Sequence, residues 1–438
     1  MKITIIGTGY VGLVTAVGFA ELGHHVLGVD QDVEKVSRLK AGDPVIYEPG
    51  LPELMARQQA SGRLHFTTEI AEGVAYAPIA FICVGTPPRP DGSADLSQME
   101  AVAREVAASI SEYRLVVEKS TVPVHTSNWI HRTLRLYSRP GAEFEVASNP
   151  EFLREGSAVH DFFHPDRIVL GVPSPRAASI LEEIYAPFQC PKIVTDPNTA
   201  EIIKHACNSF LALKISYINL MADLCERAEA DVEVVARAMG LDQRIGAQFL
   251  QAGLGYGGAC FPKDIQAFIR IGEEHGLDFG LLRKADEVNQ GRAPAVLQKL
   301  KRALWVLEGK EVAILGLAFK PNTDDVRGSQ SLAVAQALLE NGARLRLYDP
   351  HAAEKAKKVL PPGECVTYAP SAMEALRGAN ACVLATAWDE FRALDLAAAA
   401  RAMQTPIMVD ARNFFDPDAA RAAGLEYHCM GRKPVCLL

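Results

Sequence analysis

The stretch from Lys2 to Asp30 constrains this chain more than any other. Lys2 to Ile6 is a short apolar run rich in β-branched residues. Gly7, Gly9 and Gly12 follow at once in GTGYVG, then an apolar helical pattern to about Gly23, then a second run, HVLGVD, that ends on Asp30. A glycine trio of this spacing is weak alone. It becomes strong when it follows a strand, opens a helix and is trailed about twenty residues on by an acid at a strand end. Gly7 permits the tight turn, Gly9 lets the backbone approach a pyrophosphate, and Gly12 lets helix and strand pack closely. The helix amino terminus then receives the phosphates. Asp30 is placed to accept hydrogen bonds from ribose hydroxyls and to repel a 2′-phosphate, which favours NAD over NADP.

Further strands read IAFICVG (79–85) and YRLVVEKST (113–121), and their ends, VGTPP and STVP, are cofactor-facing loops in an open α/β sheet. A third, FEVASNPEFLREG, carries an Asn-Pro break followed by acids. From Thr199 to about Met239 apolar residues recur at helical spacing over more than one face. This predicts one long helix, ended by Gly240 and buried between domains or in a subunit interface. A second α/β unit starts near residue 310: EVAILGLAFK, RLRLYDP ending at Asp349, ANACVLAT and PIMVDARN repeat the first unit's plan, with only Gly316 left of the glycine trio. The expected fold is therefore α/β, two Rossmann-like doubly wound parallel-sheet domains joined by a long central helix, divided as 1–198, 199–300 and 301–438.

Composition narrows the function classes. The chain has 438 residues, 49% hydrophobic and 22% charged, with a net charge of −8. Such a balance is globular and argues against a nucleic-acid or anionic-membrane surface, so any anionic ligand must be held by local cations and backbone donors. The apolar run before the first glycines is too short for a signal peptide, and no stretch of about 18 apolar residues predicts a membrane span. In the tail GRKPVCLL, Cys436 stands third from the end and misses the prenylation pattern. Nine cysteines occur without a CxxC pair, which points away from a disulfide framework or zinc site and toward a reducing cytoplasm. No metal is expected.

One cysteine stands apart. Cys83, Cys207, Cys225 and Cys382 lie in apolar strands or helices, whereas Cys260 sits in GYGGACFPKD. Pro262 suits the first position of a helix and Asp264 its first turn, so Cys260 falls just ahead of a helix amino terminus with Lys263 beside it. Both neighbours favour thiolate over thiol, and the preceding glycines leave room for a bulky ligand. On the long helix, Lys204 and Asn208 are four residues apart in an apolar context and need polar partners; Asp264 is one candidate. Glu151 and Glu155 lie in a loop at a strand end.

Together NPEFLREG, the Lys204 and Asn208 helix, DQRIG (242–246), GYGGACFPKD and LAFKPNTDDVRGS (317–329) resemble the UDP-glucose 6-dehydrogenase family, in order along nearly the whole chain. The wider group includes GDP-mannose and UDP-N-acetylmannosamine dehydrogenases, and NPEFLREGSAVHDFFHPDRIVLG resembles the UDP-glucose branch more closely. The resemblance implies oxidation of the C6 hydroxyl of UDP-glucose to an acid with two NAD⁺ reduced in succession. Cys260 is the implied nucleophile, through a thiohemiacetal and a thioester. It implies that Lys204, Asn208, Asp264 and Thr121 hold a water and the C6 oxygen, and that Glu151 is a base. NAD contacts are implied at Gly7, Gly9, Tyr10, Val11, Gly12, Asp30, Lys35, Thr86, Thr121, Glu155, Lys263 and Arg327. Nucleotide-sugar contacts are implied at Glu151, Phe152, Leu153, Arg154, Glu155, Lys204 and Asn208. The rest of that set is Arg244, Phe249, Leu250, Gln251, Ala252, Gly253, Gly257, Phe319, Lys320 and Arg412, with Arg244 implied to reach across the interface of a homodimer or higher homo-oligomer. The chain departs from many relatives at Leu220, where they carry Glu, and at Gln251, where some carry Lys; the first touches packing or assembly, the second the phosphate contacts.

Three function classes compete for these residues. A two-electron dehydrogenase of the hydroxyacid type has no use for Cys260 or for a second Rossmann-like domain. A non-enzymatic NAD-binding protein has no reason to keep Cys260, Lys204, Asn208, Asp264 and Glu151 together. The four-electron nucleotide-sugar dehydrogenase uses all of them, with GDP-mannose or UDP-N-acetylmannosamine as alternative substrates.

Overall fold

A computed structural model of the chain describes residues 1–434, so Cys436 of the tail lies outside the described residues. The described part divides into two compact units: residues 1–207 with 266–277, and residues 208–265 with 278–434.

The first unit is built on eight strands: β1 (Lys2–Ile6), β2 (His25–Val29), β3 (Leu64–Thr67), β4 (Ile79–Ile82), β5 (Arg114–Glu118), β6 (Phe144–Ser148), β7 (Ile168–Gly171) and β8 (Lys192–Thr195). Their order is β3-β2-β1-β4-β5-β6-β7-β8, and the first six reproduce the dinucleotide-fold order. All neighbours run parallel except β6 and β7, which meet antiparallel at Ser148 and Gly171. The continuous apolar strands are explained by burial on both faces. Along β5, Leu115 and Val117 enter one core with Ile3, Ile5 and Phe81, while Val116 enters the other with Ile6, Ile82 and Val146.

The second unit carries β9 (Glu311–Leu315), β10 (Arg344–Tyr348), β11 (Val366–Tyr368), β12 (Ala381–Leu384), β13 (Ile407–Asp410) and β14 (Glu426–Cys429). Their order, β11-β10-β9-β12-β13-β14, is the same topology over again, parallel throughout. The expectation of two doubly wound α/β sheets and a long helix is met.

Helices that position candidate residues are α1 (Tyr10–Glu21), α2 (Thr126–Tyr137), α3 (Pro175–Ile184), α4 (Pro197–Ala228), α5 (Val232–Leu241) and α6 (Phe261–Glu274). The single helix expected from 199 to 239 is in fact two. Glu229 takes a positive φ of 54°, and Asp231 starts α5 by accepting a hydrogen bond from the Glu233 backbone N–H. The apolar spacing resumes after this break, so periodicity alone ran the two helices together. Even so, α4 has 32 residues, about 48 Å at the usual rise. Among the described residues no helix is long and apolar enough to cross a membrane.

Candidate active site

In the first unit the three glycines of GTGYVG have three different reasons to be glycine. Gly7 adopts φ +94°, and a Cβ there would stand 2.8 Å from the Cys83 carbonyl oxygen. A Cβ on Gly12 would stand 1.8 Å from the Gly7 oxygen, so any larger residue would force α1 off β1. A Cβ on Gly9 would meet nothing within 4 Å. Gly9 is also the N-cap of α1 and supplies no side-chain cap, which leaves the first-turn N–H groups, Tyr10 and Val11 among them, as an anion site. Asp30 is nearly buried. Its Oδ2 accepts from the Thr8 N–H, the Thr8 hydroxyl and Lys35 Nζ, each at 2.9 Å, and its Oδ1 accepts from the Asp32 N–H at 3.1 Å. Burial pushes this carboxyl up, but the bonds from Lys35, Thr8 and Asp32 outweigh it and hold the pKa below the usual range. Thr86 donates to the Thr121 carbonyl at 2.8 Å, tying the loop after β4 to the loop after β5.

The loop after β6 is held from inside. Lys204 on α4 donates to the Glu151 carbonyl at 2.6 Å and lies 3.1 Å from Glu151 Oε1, with both side chains buried. Glu151 Oε2 accepts from the Leu153 N–H at 2.5 Å. The Phe152 ring lies under the Arg167 guanidinium, 3.6 Å from its centroid, with Lys204 Nζ at 5.3 Å. Arg154 forks onto Asp161, and Glu155 is half-buried. Glu48, which sequence reasoning missed, fixes this loop. Its carboxylate accepts from the Gly156 N–H at 2.6 Å, the Ala158 N–H at 2.7 Å and the Tyr10 hydroxyl. A lone Glu after a loop carries no local signal of such a role, because its partners lie 108 and 110 residues away.

In the second unit Cys260 is exposed, in the turn directly before α6. Its carbonyl accepts the first helical bond, from the Asp264 N–H at 2.9 Å. The helix begins at Phe261, so Pro262 holds its second position and not the first; its missing N–H is one of the unbonded first four either way. Asp264 is buried, with Asn208 Nδ2 at 2.6 Å from Oδ2 and Lys263 Nζ at 2.6 Å from Oδ1. The expectation that Asn208 and Lys204 need polar partners is met, by different residues: Asp264 for one and Glu151 for the other.

The glycines before Cys260 are explained by packing within this unit, not by room for a ligand. A Cβ on Gly257 would stand 2.3 Å from the Gly328 oxygen, and one on Gly258, at φ +83°, would stand 2.7 Å from the Phe319 ring. A Cβ on Gly255 would collide with Asn289 Oδ1, which itself accepts from the Tyr256 N–H. The preceding segment is fixed similarly. Leu250 and Ala252 are buried, Gln251 is exposed, Phe249 has φ +66°, and the Gly253 N–H donates to Asn219 at 2.9 Å. Thus Asn219 braces the loop while its neighbour Leu220 is exposed.

Arg412, half-buried, donates to the carbonyls of Ala385 (2.7 Å), Gly255 (3.1 Å) and Phe319 (3.4 Å). Burial pulls its pKa down to about 10, against the opposing pull of Asp410. Lys320 Nζ lies 5.5 Å from the Phe319 ring centroid, Arg327 forks onto Asp325, and Arg244 is 90% exposed and paired with Asp242.

The second unit's acid is a counterfeit of Asp30. Asp349 stands at the same place after β10, and Gly316, at φ +92°, at the place of Gly7. Yet Asp349 Oδ2 accepts from the Leu317 and Ala318 N–H groups and the Trp388 indole, and Oδ1 from the His351 and Ala352 N–H groups. Five donors of the chain thus crowd Asp349, two of them on Oδ1, against four on Asp30 with a single backbone N–H on Oδ1. Among the described residues no group of His, Cys, Asp and Glu is arranged to hold a metal ion.

Comparison with known proteins gives a consistent result. Models for the UDP-glucose/GDP-mannose dehydrogenase family match three segments: the NAD binding domain over residues 1–189, the central domain over 198–291 and the UDP binding domain over 313–417. The UDP-glucose 6-dehydrogenase YwqF of Bacillus subtilis is 47% identical over 99% of this chain and 98% of its own. A UDP-glucose 6-dehydrogenase of Rhizobium meliloti is also 47% identical, over 99% of this chain and 100% of its own. Among solved structures, a UDP-glucose dehydrogenase from Pyrobaculum islandicum superposes with a TM-score of 0.92 at 47% identity, covering 98% of this chain and 96% of that one.

Proposed function

Because the chain belongs to the UDP-glucose/GDP-mannose dehydrogenase family, we propose that it converts UDP-glucose, two NAD⁺ and water into UDP-glucuronate and two NADH. It is an oxidoreductase with the family's NAD binding domain. NAD, when bound, supplies the hydride acceptor. The first-turn N–H groups of α1 and Asp30 suit its pyrophosphate and adenosine ribose. Lys35, Thr86, Thr121, Glu155, Lys263 and Arg327 complete the set.

The observation that carries the reading is Cys260, exposed at the amino terminus of α6. A helix amino terminus favours the thiolate. An aldehyde has no second hydride to give until a nucleophile adds to it, and thiolate addition makes the tetrahedral thiohemiacetal that does. Loss of the second hydride leaves a thioester, whose hydrolysis returns the thiolate and releases the acid. Lys204 and Asn208, one helical turn apart on α4, suit stabilisation of the developing oxyanion, with Asp264 and Thr121 holding water and hydroxyl. Glu151, against Lys204, suits proton transfer during oxidation or hydrolysis. The nucleotide sugar is assigned to Phe152–Arg154, Phe249–Gly253, Gly257, Phe319, Lys320 and Arg412.

The assembly is a homodimer in this reading. On α4, Phe210, Tyr217, Leu220 and Leu224 are 61%, 47%, 49% and 56% exposed at spacings of seven, three and four residues, an apolar stripe of the kind helices bury against a second copy. Leu220, where many relatives carry Glu, adds to that stripe, and Arg244, exposed and paired with Asp242, is assigned the reach from the DQRIG turn to a partner subunit. The described cysteines form no disulfide, which suits a reducing cytoplasm.

The test is NADH formed per UDP-glucose consumed, beside GDP-mannose and UDP-N-acetylmannosamine, repeated with Cys260→Ser. Two NADH per UDP-glucose, with no free acid released by the variant, supports the reading. One NADH, unchanged by the substitution, leaves a two-electron alcohol dehydrogenase.

A further inference from the structure

We infer that Lys119 is a positioning residue for Glu151, acting through Asn149 and Tyr185. The first unit holds a buried lysine that none of the roles above uses. Lys119 follows the last residue of β5 and is 5% exposed. Its ammonium lies 3.0 Å from Asn149 Oδ1 and 3.5 Å from both the Asn149 carbonyl and the Tyr185 hydroxyl. Tyr185, just past the end of α3, donates its own hydroxyl to the same Oδ1 at 2.5 Å.

Every polar atom of Asn149 is engaged. Its N–H donates to the Glu118 carbonyl at 2.8 Å, and its Nδ2 to the Val169 carbonyl on β7 at 2.8 Å. The junction where β6 meets the antiparallel β7 is thereby locked to β5, β7 and α3 at one residue. Pro150 follows, then Glu151, whose own carbonyl and carboxylate meet Lys204. A chain of direct contacts thus runs from Lys119 and Tyr185 through Asn149 to the residues proposed to move protons.

A buried ammonium is an expensive way to fix an asparagine, since burying a charge costs far more than burying a neutral donor. Its hydrogen-bond partners are all neutral oxygens. The charged and titratable groups facing it are the Cys83 thiol after β4, Glu118 on its own strand, Glu151 in the loop after β6, Tyr185 and Lys204 on α4. Burial pulls the Lys119 pKa down, while Cys83, Glu151 and Glu118 oppose that and Lys204 adds to it. The positive charge behind Glu151 is therefore held less tightly than that of an exposed lysine.

The inference rests on the reading of Glu151 as a proton-transfer residue, so Glu151→Gln is measured alongside. Lys119→Met keeps the stem and removes the ammonium; Tyr185→Phe keeps the ammonium and removes one bond to Asn149. With Lys119→Met, kcat for NADH formation is expected to fall by about 10²-fold, the scale of a catalytic group displaced by an ångström, with KM for NAD⁺ unchanged. With Tyr185→Phe it is expected to fall about fivefold, the loss of one net hydrogen bond. Wild-type kcat is expected to descend at alkaline pH as the ammonium is lost, and Lys119→Met to lack that descent. A folded Lys119→Met enzyme with wild-type kcat and pH profile overturns the inference. Should that variant not fold, wild-type kcat in Tyr185→Phe overturns it. If Glu151→Gln itself keeps full kcat, the reading of Glu151 fails and the inference falls with it; if only Glu151→Gln is impaired, the inference alone fails.

Discussion

Substituting Gly258 by alanine tests whether the loop before Cys260 is packed or open. Two costs follow from its geometry. At φ +83° an L side chain is strained, by roughly 1–2 kcal/mol in the left-handed region. The added methyl would also stand 2.7 Å from two carbons of the Phe319 ring, an overpacking of the kind that costs about 1–3 kcal/mol. The sum is about 2–5 kcal/mol, and shifting the loop to relieve it would stretch the bond from the Gly258 N–H to the Arg327 carbonyl, now 2.9 Å. The assay is thermal unfolding of wild type, Gly258→Ala, Phe319→Ala and the double variant. Phe319→Ala removes the ring, so the methyl should cost only its backbone strain in that background. The cycle should therefore show a coupling of about 1–3 kcal/mol, as for residues in contact. A Gly258→Ala protein that melts with wild type, and a cycle without coupling, would refute the reasoning and restore the view of these glycines as space for a ligand.

Gly9→Ala should leave the melting temperature unchanged, because its Cβ enters open space, yet weaken NAD⁺ binding in calorimetry; Gly12→Ala should impair both, because its Cβ strikes the Gly7 carbonyl. Glu48→Gln turns a carboxylate oxygen that accepts backbone N–H groups into a donor facing donors, at a cost of about 1–3 kcal/mol, and should raise KM for UDP-glucose by loosening residues 151–156. Glu118 has its folded pKa raised well above the ordinary value, first by burial and then by the charge of Glu201. The folded state then holds a proton that the unfolded state loses above about pH 4.3, so stability falls as pH rises from there toward the raised value. Glu118→Gln removes that dependence, and its melting temperature relative to wild type should climb between pH 5 and 8; a constant difference across that range would show that Glu118 is already ionised in the fold.

What was legible in the chain is what is local. Gly7, Gly9 and Gly12 declare themselves because strand, turn and helix are consecutive, and Cys260 because the helix it precedes starts on the next residue. The acid that meets Lys204 lies 53 residues away, and the one that meets Asn208 lies 56 away, so the need for a partner was readable and Asp264 could be named only as a candidate, without the residue it would meet. The GYGG segment misled for the same reason: Phe319 and Gly328 fill the space beside it from far along the chain. The break between α4 and α5 had a readable sign in Asp231, an N-cap residue before Val232, but the apolar spacing on either side masked it. Short strands such as β3, β8, β11 and β14, with only three or four residues each, offer too little pattern to stand out against the turns around them.

The five donors gathered on Asp349 bear on ligand design. Both halves of this protein share a strand order, which on topology alone would offer a dinucleotide mimic two places to bind. In the second half, however, a ribose diol would have to evict backbone N–H groups and an indole from a carboxylate that is 4% exposed, and each evicted donor would be left dry. Titration should saturate at one dinucleotide per chain. An inhibitor patterned on the adenosine end of NAD will therefore read one sheet and pass over its twin, because Oδ1 of Asp30 holds one backbone donor where Oδ1 of Asp349 holds two and its Oδ2 an indole as well.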